Sequence, residues 1–159
     1  MIFTSNLFNR LLRNVKPGVA YFPIIFSEYD PDHTGIKENH FNITEYGGFW
    51  REYGYGMVAM YNFDFKISGG FDLNIKGWGL EDVHLIKNAL RRGINVHRSN
   101  DPDLIHIFHH KHCSADLQLS QQSGCLKTKA SHIGPQLYHY NIIKQRPFTI
   151  ESKLENILK

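Results

Sequence analysis

A chain of 159 residues, 42% of them hydrophobic, has the length of one domain and enough apolar side chains to build a core. Its formal net charge is only +3, and the basic residues are scattered or paired rather than gathered into a stripe, which excludes nucleic-acid binding by the usual electrostatic footprint. No apolar run approaches the roughly 20 residues of a membrane span, and the opening MIFTSNLFNRLL lacks the order of a signal peptide.

In chain order, apolar residues at Phe3, Leu7, Phe8, Leu11 and Leu12 have helical spacing, stopped by Pro17-Gly18. VAYFPIIFSEY reads as a buried strand that Pro23 confines to an edge or a bulge. The polar, turn-rich stretch from Asp30 to Tyr46 reads as a surface loop. GGFWREYGYGMVAMYNFDF resumes strand character, broken by Gly54 and Gly56. KISGGFD is a turn. Val83, Ile86, Ala89 and Leu90 then mark one face of a helix from about Leu80 to Arg92, with Arg91 and Arg92 suited to its C-terminal dipole and Gly93 to its end. INVHRS and LIHIFHH read as short strands, and the tail from Ser114 is polar, closing on the charged amphipathic segment FTIESKLENILK. Alternating helices and strands make an α/β domain.

The stretch GWGLED carries the most chemistry. Gly77 and Gly79 let the backbone turn around Trp78, whose indole is a platform for the apolar face of a sugar ring. Glu81 and Asp82 stand at a helix N-terminus, where the dipole favours their charge and neighbouring side chains diverge by about 100°. One carboxylate can bind while the other accepts a proton. The plain alternative is that both acids decorate a first turn and Trp78 belongs to the core.

Of the ten histidines, seven fall between His84 and His132, which suggests a metal. In an extended LIHIFHH, His106 and His109 face opposite ways, so one at most is a ligand; structural histidines at a strand end are the other reading. No catalytic triad arrangement, phosphate-binding loop, dinucleotide fingerprint or paired CxxC is present. Cys113 and Cys125 suit a local disulfide in an oxidising compartment and equally two free thiols; the disulfide is the expectation. Asn42-Ile43-Thr44 is a glycosylation sequon, meaningful if the chain is lumenal.

YFPIIFSEYDP, GFWREYGYGMVAMY, GGFDLNIKGWGLEDVHL, HIFHHKHC and CLKTKAS together resemble the C-terminal catalytic domain of the chondroitin synthases and chondroitin N-acetylgalactosaminyltransferases, collinearly from Phe3 to about Gly134. GWG-x-ED alone is shared with β-1,4-galactosyltransferases; the FPIIFS and GFWR blocks point to the chondroitin branch. The resemblance implies a partial GT-A-type α/β domain over residues 1–134 with a tail at 135–159, a UDP-sugar donor, Mn²⁺, and a Golgi lumen placement through an N-terminal signal-anchor. It implies Asp82 as the general base, Trp78, Glu81 and Gly79 as acceptor-binding, and His109 as a metal ligand. It also implies inverting transfer of N-acetylgalactosamine from UDP-GalNAc to a glucuronate-ended chondroitin or proteoglycan linkage oligosaccharide.

Two departures stand out. The family usually has an acid where this chain has His84. The family's Asp-x-Asp motif comes immediately before a segment like MIFTSNLFNR, so the expectation is an N-terminally truncated domain that is inactive alone. The alternatives are a non-catalytic partner of a related chondroitin synthase chain and a β-1,4-galactosyltransferase-like enzyme.

Overall fold

The computed structural model describes residues 1–36 and 40–135, which form two compact units. The first comprises Met1–Ser27 and Trp50–Ile107; the second comprises Glu28–Phe49 and the chain from Phe108 onward. The closing segment FTIESKLENILK lies outside the described residues.

The elements are α/β in character: β1 (Ile2–Phe3), α1 (Asn6–Asn14), β2 (Val19–Tyr21), β3 (Ile24–Glu28), α2 (Pro31–Thr34), β4 (Gly48–Trp50), α3 (Asn62–Ile67), α4 (Glu81–Arg91), β5 (Asn95–His97), β6 (Asn100–His106) and α5 (Leu119–Ser131). A mixed four-stranded sheet has the order β1-β6-β3-β4, with β6 antiparallel to β1 and parallel to β3; β2 and β5 form a separate parallel pair.

Pro23 falls between β2 and β3, so the single interrupted strand expected there is two strands serving two sheets. β3 is interior to its sheet, and the irregularity lies between Ile25 and Phe26 instead of at the proline. Proline's missing N–H is tolerated at this crossover, where no ladder hydrogen bond is required of it.

In the first unit, Ala20, Phe22, Leu85, Ile86, Ala89 and Ile94 make one core cluster. Leu7, Ile25 and Leu104 make a second, flanked by Leu11. The helix expected over Leu80–Arg92 forms, but its buried residues are Leu85, Ile86 and Ala89, whereas Leu90 is 55% exposed. Leu90 is one residue, about 100° of helix, past Ala89 and so leaves the buried stripe. Truncating the fully buried Leu85 to alanine is expected to destabilise the unit by at least about 2 kcal/mol, through lost transfer energy and the cavity left behind; a urea midpoint matching wild type would contradict this packing.

Three other expectations are corrected. Phe3 pairs in β1 with Leu104, so α1 begins only at Asn6. The strand read through GGFWREYGYGMVAMYNFDF is limited to Gly48–Trp50 and an isolated bridge from Tyr21 to Ala59, and NFDFKI is helix α3. β6 begins earlier than LIHIFHH and ends at His106, before the last two histidines of that stretch.

In the second unit, the expected loop from Asp30 contains α2, capped by the buried Asp30 carboxylate accepting from the Asp32 N–H at 3.0 Å. The tail read as merely polar contains α5. Its start carries a reciprocal capping box between Gln118 and Gln121, and its buried residues are Gln121 and Cys125. A disulfide joins Cys125 to Cys113, with Cα atoms 5.8 Å apart. So little apolar surface is spent on α5 that hydrophobic periodicity could not reveal it.

Candidate functional site

The turn before α4 is built on positive-φ backbone on either side of Trp78: Gly77, Gly79 and Leu80 all have φ near +80°. Leu80 is the only described non-glycine residue with positive φ. It serves as the N-cap of α4 without a side-chain cap hydrogen bond. A left-handed leucine costs on the order of 1–2 kcal/mol, strain of the kind that collects where a chain must present a group in one orientation. A methyl group added at Gly79 would meet nothing within 4 Å. Glycine is therefore required there by backbone conformation alone, and Gly79→Ala is expected to cost about 1 kcal/mol without displacing neighbours. Thermal unfolding checks the first part and the Trp78 fluorescence maximum the second.

The turn leaves Trp78 41% exposed, so its side chain does not belong to the core. Glu81 is exposed in the first turn of α4, while Asp82 is half-buried. Asp82 does not cap its helix from the N-cap position. Its Oδ1 accepts the Val83 N–H at 2.8 Å, and its Oδ2 accepts the Tyr55 N–H, from a distant segment, at 3.2 Å. An ionised carboxylate has about four lone-pair sites, so these two bonds orient the group and leave each oxygen able to take a further proton donor. Oδ2 lies beside Gly56: a Cβ built there would stand 3.9 Å from it, in ordinary van der Waals contact.

Arg51 lies close enough for its charge and that of Asp82 to interact, and its Nε donates to the fully buried Ser27 hydroxyl at 3.0 Å. Burial lowers the Arg51 pKa, and Asp82 opposes that shift. His84, where the family usually has an acid, places Nδ1 3.7 Å from Asp72 Oδ2, with both side chains partly exposed.

Glu28 accepts from His40 Nδ1 at 2.6 Å and from the Phe108 N–H at 3.3 Å, and the ring of the buried His132 packs edge-on against Phe49 and Phe108. His109 is exposed, beside a cavity of about 140 Å³ also lined by Phe108, Lys129 and His132. Its Nδ1 lies 3.2 Å from the His110 carbonyl, to which only an N–H can donate. Among the described residues, however, no three His, Cys, Asp or Glu side chains gather as a metal site. His109 is one candidate donor, and the described residues do not by themselves complete a shell for Mn²⁺. Asn42 is exposed, and the Oγ1 of Thr44 in the same sequon accepts the Gly47 N–H at 3.1 Å.

Compared with known proteins, residues 1–137 match the family described as chondroitin N-acetylgalactosaminyltransferase. The chain belongs to this family. It is 41% identical over 136 residues to mouse chondroitin sulfate synthase 3, covering 82% of this chain and 15% of that protein. It is 39% identical over 139 residues to mouse chondroitin sulfate N-acetylgalactosaminyltransferase 1, covering 80% of this chain and 26% of the relative. Mouse chondroitin sulfate N-acetylgalactosaminyltransferase 2 is 35% identical over 154 residues, or 88% of this chain and 28% of its own length. The chain therefore spans well under a third of these relatives. No solved structure matches it significantly. Its α/β architecture with a mixed sheet is consistent with part of a glycosyltransferase domain.

Sequence reading named Gly56 only as a strand breaker and did not single out Tyr55, Arg51 or Arg98. Apart from the GFWREYGYG block that carries the resemblance, nothing in the sequence brings that stretch to Asp82.

Proposed function

We propose that this chain carries the acceptor-activating part of an inverting glycosyltransferase that moves N-acetylgalactosamine from UDP-GalNAc to a glucuronate-ended chondroitin or proteoglycan linkage oligosaccharide. The observation that carries this reading is the half-buried Asp82 carboxylate, oriented by two backbone N–H groups, flanked by Gly56, and set behind an exposed tryptophan turn. Membership of the chondroitin N-acetylgalactosaminyltransferase family supports the choice of donor and acceptor.

In the proposed reaction the acceptor sugar lies on Trp78, with Glu81 accepting hydrogen bonds from its hydroxyls. The reacting hydroxyl donates to Asp82. As the hydroxyl oxygen bonds to the anomeric carbon, its proton passes to the carboxylate and the bond from that carbon to the UDP oxygen breaks on the opposite face. One displacement inverts the anomeric centre, and the electron pair leaves with UDP. General-base assistance of this kind contributes about 10²–10⁴-fold.

His109 is proposed as a single ligand to a divalent ion, Mn²⁺ by the family resemblance. Since the described residues supply no further donor set, no step is routed through it. The Cys113–Cys125 disulfide and the exposed Asn42 sequon support an oxidising, lumenal compartment, and we place the protein in the Golgi lumen. No described helix is long and apolar enough to cross a membrane.

The test exchanges this chain for the matching segment of mouse chondroitin sulfate N-acetylgalactosaminyltransferase 1 and supplies labelled UDP-GalNAc, UDP-glucuronate or UDP-galactose with glucuronate-ended chondroitin oligosaccharides. Label entering the acceptor from UDP-GalNAc alone, in inverted linkage, is the expected result. Preferential transfer from another donor, or none from any, would overturn the reading.

A further inference from the structure

The segment Glu52–Tyr55, which supplies a hydrogen bond to Asp82, has neither helix nor strand to hold it. One side chain grips it. Arg98 Nη1 donates to the Glu52 carbonyl at 2.7 Å, Nη2 donates to the Gly54 carbonyl at 2.9 Å, and Nε reaches the Phe22 carbonyl at 3.4 Å. The guanidinium carbon also stands 4.3 Å from the centre of the Tyr55 ring, whose edge-to-face partner is Phe22 at 6.5 Å.

Arg98 follows β5 directly and Phe22 follows β2, so the parallel β2–β5 pair fixes both ends of this grip. Asp82 is fixed separately by α4, whose buried Leu85 and Ile86 pack in the same core cluster as Phe22. The Tyr55 N–H joins the two. We propose that Arg98 is a positioning residue for the transfer reaction: by clamping Glu52–Tyr55 to the β2–β5 pair, it holds the Tyr55 N–H on Asp82 Oδ2 and so aims the carboxylate at the acceptor hydroxyl. This inference rests on the reading of Asp82 as the base. The chemistry is specific to arginine, because a planar fork can serve two carbonyls and lie over an aromatic ring at once, whereas an ammonium is a point donor.

Two measurements test it. In the chain itself, Arg98→Lys and Arg98→Gln should speed amide hydrogen exchange at Tyr55 at least about tenfold while the amides of Leu85 and Ala89 keep their protection. In the exchanged enzyme, Arg98→Lys should lower kcat about tenfold with the KM for UDP-GalNAc unchanged, and should lower it no further when Asp82 is already asparagine. Wild-type exchange at Tyr55 in both variants would overturn the proposal. So would an equal loss of protection in the helix, which would make Arg98 a general stabiliser. Failure of the underlying reading looks different: transfer would survive Asp82→Asn although Tyr55 protection still depended on Arg98.

Discussion

If Asp82 is the proposed base, Asp82→Asn is expected to lower kcat for transfer by about 10³-fold and to leave binding of UDP-GalNAc unchanged, at saturating acceptor in the exchanged enzyme. The size follows from removing the only group proposed to take the acceptor proton. Asparagine preserves shape closely, and its Oδ1 can still accept one backbone N–H, but the amide cannot accept a proton from an alcohol and its nitrogen cannot accept from the second N–H. Some loosening around Tyr55 accompanies the substitution, so donor binding is the discriminating control. Calorimetric titration with UDP-GalNAc that shows affinity falling in step with kcat would assign Asp82 to structure and remove its catalytic role. Glu81→Gln, which keeps hydrogen-bonding capacity at an exposed position, serves as the comparison: its effect should appear in acceptor KM.

Arg10→Met is expected to cost about 3 kcal/mol of stability, the lower end for breaking a buried ion pair because Arg10 is itself 35% exposed. Arg10 Nε lies 3.0 Å from Asp101 Oδ1, and Nη2 lies 2.8 Å from Asp103 Oδ2. Asp101 is fully buried. The variant leaves it with the Tyr21 hydroxyl at 3.0 Å and the Asp103 N–H at 3.2 Å, but removes the cation paired with it among the described residues, the Arg10 guanidinium.

The same ion pair should set part of the acid sensitivity. The Arg10 hydrogen bond, helped by Thr4, holds the Asp103 carboxyl below its ordinary pKa, against the opposing effect of burial. A carboxyl lowered in the folded state contributes stability that is complete above the unfolded aspartate value, near 3.9, and is lost as pH falls through the folded value. The stability difference between wild type and Arg10→Met should therefore shrink as the solution is acidified below about pH 4. Urea midpoints at neutral pH and in acid measure this directly; a gap that stays constant with pH would mean that Arg10 acts through packing.

The helix from Glu81 to Arg91 was legible because its apolar residues repeat with helical period and its ends carry recognisable residues. The turn before it was legible because two glycines bracket a tryptophan. Asp82 was named from the same six residues. The buried start of β6 was not legible, since Asp101 and Asp103 read as polar surface until Arg10, Tyr21 and Thr4 are brought to them. Helix α5 escaped for a related reason: a disulfide and a capping box hold it, and neither produces an apolar period.

By itself the sequence determined this protein's family, the tryptophan turn and the identity of the acid behind it, because those are local in the chain and depend on residue type and order. Only the tertiary structure decided what that acid touches. The Tyr55 N–H, the Gly56 backbone beside Asp82 and the Arg98 clamp come from segments 16 to 30 residues away, and no local periodicity records such distant contacts; they exist once the β2–β5 pair and α4 close around one core.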